Sequence, residues 1–248
     1  MTLTEKTALI TGATAGIGKE TALLFAAAGA DVIVSGRDIA RGAATVDAIT
    51  RAGGKARFVA ADLTDLDSLR ALADAAGAVD VLVNNAGAQP LSPTVSQDVD
   101  GFDTAVAVNL RAPYFLTAAI APKMIARGSG AIVNISSMTA TVAMPGFSVY
   151  SATKAALESL TRTWAAEFGP AGVRVNAVSP GSTRTETVLT AVAEVLGESG
   201  EQQLAQLSLL GRMAEPREIA EVILFLASER SSYLTGAVIA ADAGRTAA

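Results

Sequence analysis

TALITGATAGIGKETALLFAAAG, running from Thr7 to Gly29, reads as strand, glycine turn and helix in immediate succession. Thr7–Ile10 is a short apolar, β-branched run, and Gly16–Ala28 is an alanine-rich helical stretch. Between them Gly12, Gly16 and Gly18 offer the tight turn, the close backbone approach and the open helix N-terminus that a pyrophosphate requires. Three residues separate the first two glycines, where the usual dinucleotide fingerprint has one. A strand that leads straight into a phosphate-holding helix is the opening unit of a doubly wound α/β fold.

The rest of the chain repeats the alternation. Further β-branched runs at Asp31–Ser35, Ala56–Ala60, Val79–Asn84, Ala131–Ile135, Val173–Val178 and Ala237–Ala240 predict a seven-stranded parallel sheet. Helical stretches at Arg41–Ala52, Leu66–Ala76, Phe102–Arg127, Tyr150–Phe168 and Pro216–Ala227 cover both faces, so a single Rossmann-type domain over 1–248 is expected. Pro113 and Pro122 are expected to break or kink the long fourth helix. Gly181–Gly211 is the least regular insertion and follows a strand's carboxyl end, which predicts a substrate-covering segment.

Composition narrows the function. Half of the 248 residues are apolar and the formal net charge is -5, which gives no electrostatic grip on nucleic acid or an anionic membrane. Cysteine and histidine are both absent, so thiolate nucleophiles, histidine triads and the usual zinc sets are excluded, and no metal is expected. The amino-terminal residues lack a basic segment with an apolar run, and no long apolar run follows, so a cytoplasmic location is expected.

Acid–base work then falls to Tyr, Lys or carboxylates. Tyr150 and Lys154 stand at i and i+4 on one helix face. Bringing a phenol from a pKa of about 10 to near 7 requires about 4 kcal/mol, and one cation at about 4 Å supplies that at an effective dielectric of about 20. The tyrosine becomes a usable proton carrier. Ser137, just after the fifth strand, can hydrogen-bond the same substrate oxygen, with Ser136 as its neighbouring competitor.

TGATAGIG, NNAG (Asn84 to Gly87), Asn109, Ser137, Tyr150, Lys154 and the PG-x-x-x-T segment Pro180 to Thr185 together resemble the classical short-chain dehydrogenase/reductase (SDR) family over essentially the whole chain. The resemblance implies hydride transfer between a nicotinamide cofactor and a ketone, aldehyde or alcohol, with Asn109, Ser137, Tyr150 and Lys154 as the catalytic set. It selects Ser137 over Ser136, and gives Asn109 a water linking the lysine to solvent. It implies cofactor contacts at Gly12, Thr14, Gly16, Ile17 and Gly18, at Asp62 and Leu63 beside the adenine, and at Asn85, Ala86 and Gly87. Pro180, Gly181, Thr183 and Thr185 complete the set, with Thr185 on the nicotinamide amide.

Charge speaks to the choice of cofactor. After the second strand the chain has Gly36 and Arg37 in place of an acidic residue, which favours NADP(H) over NAD(H). Asp38 adds a negative charge there unless it caps the next helix. Gln89, Met138, Met144 and Phe147 are expected to line a largely apolar substrate site. Alternatives are a 3-oxoacyl-thioester reductase, whose acidic carrier would need arginines where Ala131 and Ala171 stand, leaving Arg127 and Arg174 as substitutes, and a non-catalytic nucleotide-binding regulator. Small apolar residues such as Ala118, Ala155, Ala156 and Ala165 suit helix pairing between subunits, and the family implies a homotetramer or homodimer.

Overall fold

A computed structural model describes residues 2–247. The strands are β1 (Thr7–Thr11), β2 (Asp31–Gly36), β3 (Lys55–Ala60), β4 (Val81–Asn84), β5 (Gly130–Ile135), β6 (Val173–Pro180) and β7 (Val238–Ala241). They form one parallel sheet in the order β3-β2-β1-β4-β5-β6-β7. The chain crosses from β3 over β2 and β1 to β4, so the strand order reverses between β1 and β4. A crevice opens there at the strands' carboxyl ends.

Side chains two apart on each strand face the same layer, which divides the core in two. Ile10, Val34 and Val83 pack with Phe25 of α1 (Gly16–Ala27), Ile49 of α2 (Ile39–Arg51) and Ile223 of α9 (Pro216–Ala227). Leu9, Ile33 and Leu82 pack on the other face with Leu69 of α3 (Leu66–Ala76), Leu116 and Met124 of α5 (Ala112–Arg127), and Trp164 of α6 (Ser148–Phe168). Each such large side chain stabilises the fold by about 1.5–3 kcal/mol through burial. A polar ladder runs through the second layer: Asn84 donates to Asn134 (2.8 Å) and Thr117 (3.2 Å), and Asn134 donates to Thr161 (2.8 Å). Buried from solvent, these groups satisfy one another, which ties α5 and α6 to the sheet in a single register.

Two expectations are corrected. Val99–Arg127 is helical throughout, from α4 (Val99–Val106) through a wide π-type turn at Ala107–Arg111 into α5. The irregularity therefore precedes Pro113. The proline has no N–H for the carbonyl of Asn109, four residues back, and its ring would clash with it, so the turn widens there. Pro122 lies inside α5, which continues through it. Gly181–Gly211 is also more regular than its sequence suggests, forming α7 (Glu186–Leu196) and α8 (Gly200–Gln206). Among the described residues, Val99–Arg127 is the one helix long and apolar enough to cross a membrane, and half of its most apolar window is buried in the fold, as befits a core helix.

Candidate active site

The glycine turn sits at the mouth of the β1–β4 crevice. Gly12 and Gly16 have φ of 64° and 51°, and a Cβ on Gly18 would come within 2.3 Å of the Asn85 side chain and the Gly12 carbonyl. Asn85 Nδ2 donates to the carbonyls of Thr11 (2.8 Å) and Gly12 (3.2 Å), while the Thr11 hydroxyl accepts from the N–H groups of Asn85 and Ala86 (3.1 Å each). The Asn84–Gly87 segment thus braces the turn.

At the head of α1, Ala15 makes no side-chain cap and the first turn has no acidic residue. Its N–H groups are left without a side-chain acceptor, which suits an anion. This is the fit expected for a dinucleotide pyrophosphate against Gly16, Ile17 and Gly18.

Around the turn, Gly36 accommodates Thr14, whose methyl would meet an added Cβ at 2.7 Å. Arg37 is exposed beside it, and Asp38 caps α2 by accepting from the N–H of Arg41 (2.9 Å). Asp62 accepts from the Thr64 N–H (2.9 Å) and hydroxyl (2.8 Å). Those bonds, with a smaller contribution from Arg37, hold its carboxyl below the usual range. Leu63 is half-buried beside it.

Pro180 ends β6, and a Cβ on Gly181 would strike the backbone of Asp242 at 2.7 Å. Thr183 donates to the Gly181 carbonyl (3.0 Å), and Thr185 caps α7 while its methyl comes within 3.0 Å of a Cβ built on Gly16. The Gly181–Gly211 segment therefore starts directly over the glycine turn.

The four residues of the expected catalytic set converge at the carboxyl ends of β4 and β5. Tyr150 and Lys154 lie on α6, Ser137 follows β5, and Asn109 sits in the wide turn. Lys154 is buried, donates to the Ile135 carbonyl (2.7 Å) and places Nζ 5.5 Å from the Tyr150 ring centroid. Burial lowers its pKa to about 8. Burial also raises that of Tyr150 above 10, and the hydrogen bond with Ser137 only partly opposes this. With its pKa raised, the phenol stays protonated at neutral pH. Asn109 is buried, and its side chain is fully engaged with Ala88 and Thr153.

Of the expected lining residues, Phe147 packs edge-to-face on Tyr150 (6.2 Å), Met144 is half-buried in the same loop, and Gln89 is exposed. Met138 lines a cavity of about 470 Å³ together with Gly181, Leu204 and Leu207. Arg127 and Arg174 lie at the opposite, amino ends of the strands. Arg127 pairs with Asp80 (3.2 Å), and Arg174 donates to the carbonyls of Leu226 and Ser228, so neither adjoins this subunit's own site. Ala165 is buried within the subunit, whereas Ala118 and Ala155 are exposed. Among the described residues no cluster of three acidic side chains could hold a metal. Sequence reading missed Thr11 and Ala88; nothing in a lone Thr or Ala signals such a role.

A doubly wound sheet with an open helix terminus at its switch point, and a Tyr–Lys–Ser cluster beside it, defines a dinucleotide-dependent enzyme. A family model described as enoyl-(acyl carrier protein) reductase matches residues 12–246. Cis-4-hydroxycyclohexanecarboxylate dehydrogenase of Sinomonas cyclohexanicum is 41% identical over 249 residues, 98% of this chain and 97% of that protein. A solved short chain dehydrogenase/reductase family protein is 53% identical, with a TM-score of 0.92 over 100% of both chains. The structure of a 3-oxoacyl (acyl-carrier-protein) reductase from Agrobacterium tumefaciens C58 with NADP bound is 33% identical, with a TM-score of 0.92 over 98% of this chain and 95% of that one. The chain belongs to the short-chain dehydrogenase/reductase family. It is an oxidoreductase of alcohol and carbonyl groups that works with a nicotinamide cofactor.

Proposed function

We propose that this protein is an NADP(H)-dependent oxidoreductase that interconverts a ketone or aldehyde with the corresponding alcohol, using Tyr150 as proton donor and acceptor. The observation that carries the reading is the meeting of Tyr150, Ser137 and Lys154 next to the glycine turn, with Lys154 Nζ 5.5 Å from the centroid of the phenol ring. When bound, the nicotinamide supplies or accepts the hydride. In reduction the Tyr150 hydroxyl gives its proton to the carbonyl oxygen while Ser137 donates a hydrogen bond to the same atom. A raised phenol pKa suits that donor role. In oxidation the phenolate needs the Lys154 ammonium, which at a pKa of about 8 is still charged at neutral pH. Because the Asn109 side chain is occupied, a relay water is assigned to its backbone carbonyl, which Pro113 leaves without an i+4 donor.

Support for NADP(H) comes from the exposed Arg37 after Gly36, and from a relative whose structure holds NADP. The exposed apolar side chains Phe102, Tyr114 and Phe115 on the Val99–Arg127 helix support a homodimer or homotetramer. A second reading, 3-oxoacyl-thioester reduction, is favoured by the name of that same relative. The decisive experiment follows reduced-cofactor absorbance over a panel of ketones, aldehydes and 3-oxoacyl thioesters with wild-type protein and Tyr150→Phe. Turnover lost in the variant supports the proposal. Equal turnover removes Tyr150 from the chemistry, and no turnover on any carbonyl favours a nucleotide-binding regulator.

A further inference from the structure

An ion pair joins the start of α2 to the start of α7 on the side of the sheet where the adenosine half of the cofactor would lie. Arg41, in the first turn of α2, donates to Glu186, the first residue of α7, through Nη1 to Oε2 (3.2 Å) and Nη2 to Oε1 (3.4 Å). Its Nε also lies 3.6 Å from Asp38 Oδ2. One end of this strap stands a turn away from Arg37. The other adjoins Thr185, over Gly16.

Resting on the NADP(H) reading above, we propose that Arg41 is a second ligand for the 2′-phosphate and that Glu186 competes with the phosphate for it, so that the covering helix helps to set cofactor choice. The mouth of β2 carries two cations, Arg37 and Arg41, against three carboxylates. Two of those have other work: Asp38 caps α2, and Asp62 is held by Thr64. Both oxygens of Glu186, by contrast, are committed to Arg41.

A phosphate monoester carries a charge of about -1.5 to -2 and binds a guanidinium through the same pair of N–H groups. One fork cannot serve both anions at once. The strap is exposed, with side-chain exposures of 51% and 69%, so it is weak enough to exchange. NAD(H) presents only ribose hydroxyls at this point and makes no demand on Arg41. Cofactor binding and release of α7 are therefore coupled for the phosphorylated cofactor alone.

The test is titration of NADPH and NADH by cofactor fluorescence at low ionic strength, with wild-type protein, Glu186→Gln, Arg41→Met and the double variant. Glu186→Gln is expected to tighten NADPH by about three- to tenfold, leaving NADH within about twofold, and added salt shrinks the gain. Arg41→Met weakens NADPH and abolishes the effect of Glu186→Gln. Equal shifts for both cofactors, no shift for either, or a Glu186→Gln gain that persists beside Arg41→Met would overturn the proposal. The cofactor reading itself is scored separately, by the wild-type NADPH to NADH ratio and by Arg37→Met.

Discussion

The carboxamide of Asn109 grips Ala88 by both of its backbone groups, accepting from the N–H through Oδ1 and donating to the carbonyl through Nδ2, each at 2.7 Å. A third bond, Nδ2 to the Thr153 hydroxyl at 3.1 Å, reaches the helix that carries Tyr150 and Lys154. One buried side chain thus ties the loop after NNAG to α6. Asn109→Leu strands two backbone groups at about 1–3 kcal/mol each. The expected outcome is a clear fall in the urea midpoint together with lost turnover. Asn109→Asp should recover only part of both, since it restores the acceptor and not the donor.

Pro113 offers a cleaner test of the same region. Pro113→Ala supplies the N–H that the proline lacks, and this N–H can capture the Asn109 carbonyl and close the wide turn. Thermal stability should hold or rise while kcat drops by about tenfold, the loss expected if that carbonyl serves the proton path. Unchanged kcat with a raised Tm would confine the proline to a structural role.

For Lys154 the sign of the pH dependence can be worked out. Burial lowers its pKa from 10.5 to about 8, so between these values the unfolded chain holds a proton that the folded protein has released. Stability from this group therefore rises as pH climbs from 8 towards 10.5, by a total of about 3 kcal/mol. Tyr150 acts in the opposite sense, but its raised pKa brings that in only above 10. Lys154→Met should be more stable than wild type at neutral pH, with the gap narrowing through the alkaline range in urea titrations. A gap that stays constant would mean that the ammonium is not buried in solution.

Much of this arrangement was legible in the sequence because its causes are local. β-Branched runs located all seven strands to within a residue or two, and the glycine turn announced the helix behind it. The Tyr150–Lys154 pair needed only helical spacing. What stayed hidden depends on distance or on what an element packs against. α7 buries none of its residues, so the apolar positions of ETVLTAVAEVL do not reveal where the helix lies. The Arg41–Glu186 pair spans 145 positions and leaves no local trace. The Asn109 turn could be sensed through Pro113, but a proline at that place suggested a break where the chain instead widens its spiral.

The same bare surface of α7 has an evolutionary corollary. A helix that contributes nothing to either half of the interior can be rewritten, residue by residue, without the molecule losing its cohesion. Apart from Glu186, its side chains are free to change while the two packed layers beneath stay as they are.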